Sequence, residues 1–157
     1  MKYGIDISSY QRNIDYNKVI KNINFAILRV GFGVNYLPES QKDNQFENHY
    51  KGLYGKIPIG GYYYAYANEA ASHIHCLKYL NNKKLDLPIY YDIEDNSMRC
   101  INDVVREFVD TIKAAGYDAG IYCNMNWARN KIDLSKFQDC SIWIAMYGSN
   151  NGQIPNN

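Results

Sequence analysis

The chain has 157 residues, one domain's worth of sequence and too short for a comfortable second core. Hydrophobic residues make up 46% and charged residues 21%, ordinary globular usage that disfavours disordered, collagen-like and fibrous classes. Lys+Arg 17 against Asp+Glu 16, with no long basic run, lacks the electrostatic footprint of a nucleic-acid binder and suits a neutral or weakly charged ligand.

The aromatic set is unusual, with 16 Tyr against 5 Phe and 2 Trp. Tyr joins an apolar ring face to a polar tip, a combination suited to hydroxyl-rich ligands such as sugars. Cys76, Cys100, Cys123 and Cys140 show no CxxC pairing and are expected as buried free thiols. No stretch is long or apolar enough to span a bilayer. Met1-Lys2 leads directly into an alternating segment without a signal-peptide core, so a soluble chain without an export address is expected.

Lys2 to Ile7 alternates and breaks at Ser8-Ser9, a short strand with Asp6 near its carboxyl end. Asp15 is placed to cap a short helix over Tyr16 to Asn22. Phe25 to Val30 is a near-continuous apolar run ending at Gly31, as in strands buried on both faces. Residues 43 to 54 carry Phe46, Tyr50, Leu53 and Tyr54 at helical spacing before Gly55. Ile57 to Ala67 predicts a third strand, Glu69 to Leu80 a helix, and Leu87 to Ile93 a fourth strand. Asp103 to Ala115 places Val104, Val105, Phe108, Val109 and Ile112 on one stripe closed by Gly116. Ala119 to Cys123, a helix near 126 to 131 and Ser141 to Met146 complete the pattern. Strands alternating with helices and no tight hairpin signal predict parallel βαβ units. Eight such units close a barrel over about 250 residues. Only six are legible here, followed by a tail, residues 148–157, without periodicity.

Active sites of parallel βα folds lie at the carboxyl ends of strands, where Asp6, Asp92 and Glu94 fall. Positions 92 and 94 are two apart, so both carboxylates project from one face, roughly 6 to 7 Å from each other. Like charges at one mouth repel, and partial burial raises one pKa more than the other. One group becomes a proton donor and the other stays ionised, the division that glycoside hydrolysis requires. Acidic residues at strand ends also serve as helix caps or solvated loop residues, and Asp95 is read that way. Tyr62, Tyr64 and Tyr66 share one face, as do Trp143, Ala145 and Tyr147, while Tyr122 and Asn124 end the fifth strand. Each set serves either as barrel wall or as a stacking and hydrogen-bonding surface for glycan. Arg29, at the end of an apolar run, needs a carboxylate partner, for which Asp6 or Asp92 is expected, or an anionic substrate group.

Other chemistries lack their residues. His49, His73 and His75 lie in helical segments, with the last two on different faces, and are expected at the surface rather than on zinc. There is no GxSxG, GxxxxGK[ST] or GxGxxG, and no histidine placed to activate Cys123.

Gly4-Ile5-Asp6-Ile7-Ser8-Ser9-Tyr10-Gln11, Phe25 to Gly33, Gly60-Gly61-Tyr62-Tyr63-Tyr64-Ala65-Tyr66-Ala67, Tyr91-Asp92-Ile93-Glu94-Asp95, Gly120-Ile121-Tyr122-Cys123-Asn124 and Trp143-Ile144-Ala145-Met146-Tyr147 resemble the successive strand motifs of family 25 glycoside hydrolases, the muramidase-type lysozymes of bacteria and phages. The resemblance implies an irregular TIM-like β/α barrel over residues 1–147 that hydrolyses the β-1,4 bond between N-acetylmuramic acid and N-acetylglucosamine in peptidoglycan. By it, Glu94 is the general acid/base, Asp92 stabilises the N-acetyl group or the developing cation, and Asp6 supports them. Arg29, Tyr62, Tyr64, Tyr122, Asn124, Trp143 and Tyr147 are the candidate substrate-binding residues. No cofactor or metal is implied, nor any membrane or nucleic-acid partner. The site of action would be the bacterial cell wall. Arg29 and Tyr63 stand where many members have Lys and His. The family's later Trp-Gln-Tyr and Val-Asp segments have no match after Tyr147, so closing strands are expected to be missing. Apolar edges on the first and sixth strands should then be exposed, covered by the tail or paired with another chain. Two alternatives remain on the residues: a module that binds glycan without cleaving it, and a metal-dependent phosphodiesterase using the same three acids.

Overall fold

The structure, a computed structural model, describes residues 1–33, 41–66 and 72–146. Six strands, β1 (Gly4–Ile7), β2 (Phe25–Phe32), β3 (Ile59–Tyr64), β4 (Ile89–Asp92), β5 (Ala119–Asn124) and β6 (Ser141–Ala145), form one sheet in chain order. Every pairing is parallel. Helices α1 (Tyr16–Val19), α2 (Phe46–Leu53), α3 (Ser72–Leu80), α4 (Ile101–Ala114) and α5 (Met125–Asn130) make the crossovers. The result is a curled half-barrel of the TIM-like kind, as the alternation predicts. The expected start of α3 at Glu69 and the tail at 148–157 lie outside the described residues.

Local chemistry sets the boundaries. Asp15 caps α1 by accepting from the Lys18 amide at 3.1 Å, and the expected continuation to Asn22 is a turn rather than helix. Gly55 and Gly116 follow α2 and α4 with φ of +73° and +87°, where a side chain would be strained. A 3₁₀ turn over Leu134–Phe137, which no periodicity announces, is held by Asp133 accepting from the Ser135 amide.

Alternation along each strand divides the residues between two faces. The outward face carries Leu28, Tyr63, Tyr91, Ile121 and Cys123, all buried beneath the helices. The Tyr91 ring stacks on Phe108 of α4, centroids 4.1 Å apart and planes 4° apart. The inward face carries Ile27, Tyr62, Tyr90 and Trp143, with Gly60 and Gly120 leaving them room. A Cβ on Gly120 would lie 2.6 Å from the Tyr90 ring and 2.9 Å from the Ser141 carbonyl. Gly120→Ala is therefore expected to destabilise the fold by about 1–3 kcal/mol, through displacement of Tyr90, seen as a lower denaturant midpoint.

A cavity of about 570 Å³, lined by Ile5, Phe25, Ile27, Leu87, Tyr90 and Ile142 among others, draws on residues of both edge strands, β1 and β6. Ile142 is 39% exposed, in keeping with the apolar edge expected there. Two expectations are corrected. Cys76 and Cys123 are buried free thiols, but Cys100 is exposed and Cys140 half-buried. Of the three histidines expected at the surface, His49 and His73 are buried and His75 half-buried. α2 packs His49 against the loop after β1, where Nε2–H donates to the Ser8 carbonyl at 3.0 Å and Nδ1 accepts from the Tyr16 hydroxyl at 2.9 Å.

Candidate active site

A second cavity, of about 200 Å³, lies at the carboxyl ends of the strands and is lined by Asp6, Arg29, Tyr62, Tyr64, Asp92, Glu94, Tyr122 and Trp143. Eight of the ten residues singled out from the sequence are thus brought together. Their convergence follows from register: Arg29 pairs with Tyr62, Tyr64 with Asp92, Asp92 with Tyr122 and Tyr122 with Trp143, so successive strands present the same pleat to the same mouth. Asn124 is not among the lining residues. It ends β5 and caps α5, its Oδ1 accepting from the Trp127 amide at 3.0 Å. Tyr147 lies outside the described residues. Tyr66 is exposed beyond the mouth, its ring 4.8 Å from that of Tyr64.

The carboxylates differ by environment. Asp92 is only 6% exposed, and its Oδ1 has no hydrogen-bond partner among the described residues. Burial foremost, then the Glu94 and Asp6 carboxylates, raise its pKa from 3.8 to about 8, against the lowering effect of Arg29. Glu94, half-buried just past β4, is raised by burial. The expected asymmetry is present, and the larger rise falls on Asp92. Asp95 turns away to accept from the Ser97 amide at 2.8 Å and from the Ser97 hydroxyl, a loop residue rather than a helix cap, since α4 has Cys100 at its N-cap.

Above the acids stand hydroxyl donors. Burial raises the Tyr64 phenol to about 12, helped by Asp92 and Glu94, and raises Tyr62 further, so both stay protonated O–H donors. Trp143 packs edge-on against Tyr122 and Tyr90, with centroids 4.7 and 5.4 Å away, forming an aromatic wall. The Cys123 thiol is pushed up to about 11, by burial first and then by Asp92 and Glu94, which leaves no thiolate nucleophile. Among the described residues no group of three His, Cys, Asp or Glu is arranged to hold a metal ion.

Arg29 departs from expectation. Its Nε donates to Asp43 at 2.6 Å and its Nη2 to the Ser9 hydroxyl at 2.6 Å, so its ion pair is with neither Asp6 nor Asp92. The sequence reading puts Asp43 at the start of the helix expected over 43 to 54, whereas α2 begins at Phe46 and leaves Asp43 in the loop ahead of it.

The half-barrel, with acids and aromatics gathered at the carboxyl ends of its strands, is an α/β protein of the β/α-barrel class. The profile of Glycosyl hydrolases family 25 matches residues 5–157, and the chain belongs to that family of glycoside hydrolases. Among solved structures, GHIP, a glycosyl hydrolase 25 virulence factor of Streptococcus pneumoniae participating in host cell invasion, is 25% identical. It superposes with a TM-score of 0.83 over 99% of this chain and 73% of its own. The modular autolysin LytC of Streptococcus pneumoniae, solved with a synthetic peptidoglycan ligand, is 24% identical at TM-score 0.76, over 98% of this chain and 39% of its own. The catalytic domain of endolysin ply40, from bacteriophage P40 of Listeria monocytogenes, is 22% identical at TM-score 0.74, over 99% and 79%. No curated protein matches the sequence.

Proposed function

We propose that the protein hydrolyses the β-1,4 bond between N-acetylmuramic acid and N-acetylglucosamine in bacterial peptidoglycan, acting on the cell wall. The observation that carries this reading is the convergence of Asp6, Asp92 and Glu94 on one tyrosine-lined cavity at the carboxyl ends of the strands. Glu94 protonates the leaving oxygen, and its burial-raised pKa keeps that proton available nearer neutrality. Asp92, largely protonated below about pH 8, hydrogen-bonds the acetamido group, and on ionising stabilises a developing cation. Asp6 adds negative charge at the mouth, while Tyr62 and Tyr64 donate to sugar hydroxyls and Trp143 and Tyr122 stack on ring faces. The test is mass spectrometry of borohydride-reduced wall digests. Reduced muramic acid ends are expected, and walls bound but not cleaved would instead favour a binding module.

The larger rise at Asp92 favours a second reading, in which Asp92 is the proton donor and Glu94 the charged partner. An aryl glycoside with a good leaving group separates the two, because it needs no acid. On the first reading Glu94→Gln keeps activity toward that substrate while losing it toward walls. On the second, Asp92→Asn does.

A further inference from the structure

Buried charges are tolerated when each is met by hydrogen bonds, and the Asp43 carboxylate meets that standard fully. Its side chain has no exposed surface. Oδ2 accepts from the Ser9 amide at 2.9 Å and from Arg29 Nε at 2.6 Å, and Oδ1 accepts from the Gln45 amide at 2.8 Å. The backbone is shaped to bring it there. The β2–β3 register shifts between Arg29 and Gly31, which leaves Val30 as the extra residue of a bulge, and the freed Val30 carbonyl accepts from the Asp43 amide at 3.0 Å. Gly31 permits the crossing, since a Cβ on it would lie 2.7 Å from the Gln41 carbonyl.

We infer that Asp43 is a positioning residue: it grips Arg29 by the Nε edge and takes up most of its charge, so that a cation stands in the wall of the carboxylate cavity without pairing with Asp6 or Asp92. Three further contacts fix the guanidinium. Nη2 donates to Ser9 Oγ at 2.6 Å, and the carbon centre lies 5.2 Å from the Tyr10 ring centroid and 5.4 Å from that of Phe32. Burial and the Glu94 and Asp6 charges raise Asp92, and Arg29, held on Asp43, opposes them without forming an ion pair with it. The role in hydrolysis rests on the proposed muramidase reading; the control of Asp92 does not.

The groups facing Asp92 are Asp6 from β1, Arg29 from β2, Tyr62 and Tyr64 from β3, Tyr122 from β5, and Glu94 beyond β4, with the Cys123 thiol near enough to feel the Asp92 charge from the outward pleat of β5. The experiment follows the Asp92 carboxyl by carbon-13 NMR titration, its resonance assigned by loss in Asp92→Asn. In Asp43→Asn the Arg29 charge is released toward the cavity, and the Asp92 midpoint is expected to fall by about half a pH unit or more. Arg29→Gln is expected to raise it, and adding Asp43→Asn to Arg29→Gln is expected to change nothing further. A midpoint unmoved by Asp43→Asn, or moved equally in the Arg29→Gln background, would overturn the inference. If Asp43→Asn does not fold, Ser9→Ala, which removes one anchor of Nη2, takes its place: a smaller fall that vanishes in Arg29→Gln is expected, and no fall overturns the inference. In wall hydrolysis the alkaline limb of the pH profile should move with the midpoint. A parent protein that cleaves nothing sinks the muramidase reading, while the titration still decides the role of Asp43.

Discussion

Glu94→Gln is expected to lower the rate of reducing-end release from purified cell walls by about a thousand-fold at neutral pH, with KM nearly unchanged. The replacement keeps the size of the side chain and its half-buried place beyond β4, but removes the only feature the proposed chemistry uses, a transferable proton. Positioned acids contribute about 10²–10⁴ in rate, and departure of a sugar oxygen without a proton is the step that suffers. Binding should persist, because the aromatic wall and the Tyr62 and Tyr64 hydroxyls are untouched. The fold should persist too, since a half-exposed glutamate at a strand end is not part of the core. A second consequence separates lost chemistry from damage: with the Glu94 charge gone, one of the two carboxylates that raise Asp92 disappears, and Asp92 should titrate at lower pH than in the parent. Retention of a tenth or more of the parent rate, in a protein with unchanged melting, would remove Glu94 from the role of acid.

The parts of this site legible in the sequence share a physical reason. Parallel strands in chain order keep their inward pleats in line, so a period of two along each strand is enough to place Tyr62, Tyr64, Asp92, Tyr122 and Trp143 at one mouth once the βα alternation is read. Features that depend on a break in that period were not legible. The bulge at Val30 shifts β2 against β3 and opens the seat for Asp43, and nothing in the apolar run from Phe25 to Val30 announces it. Asn124 continues the inward period but stands directly before α5, and the preference of Asn for helix starts was the signal that its side chain belongs to a cap. His49 looked like a surface histidine because α2 is polar along much of its length, whereas its burial depends on two partners, Ser8 and Tyr16, at least 33 residues away in sequence.

Asp92→Asn is expected to stabilise the fold, and to do so increasingly as pH rises. In the unfolded chain the carboxyl titrates near 3.8, and in the native state near 8. Below about pH 4 both states hold the proton and the group has no effect on stability. Between the two values the unfolded state has released its proton while the native state retains it, so the unfolded state binds fewer protons and stability falls with rising pH. Above about pH 8 both are ionised and the loss is complete, about 4–6 kcal/mol for a difference of this size. An amide at position 92 keeps the shape of the side chain and cannot ionise. The melting curves of parent and variant should therefore nearly coincide at pH 4 and diverge toward pH 8.5, where a gap of about 10 °C is expected at roughly 2–4 °C per kcal/mol for a chain of this length. Calorimetry across that range is the measurement, and parallel profiles would refute the assignment. The same substitution is expected to impair wall hydrolysis on either reading of the acid pair. Weakening of the fold above pH 4 together with impaired turnover in the variant would mark this buried carboxyl as present for its chemistry and not for the stability of the barrel.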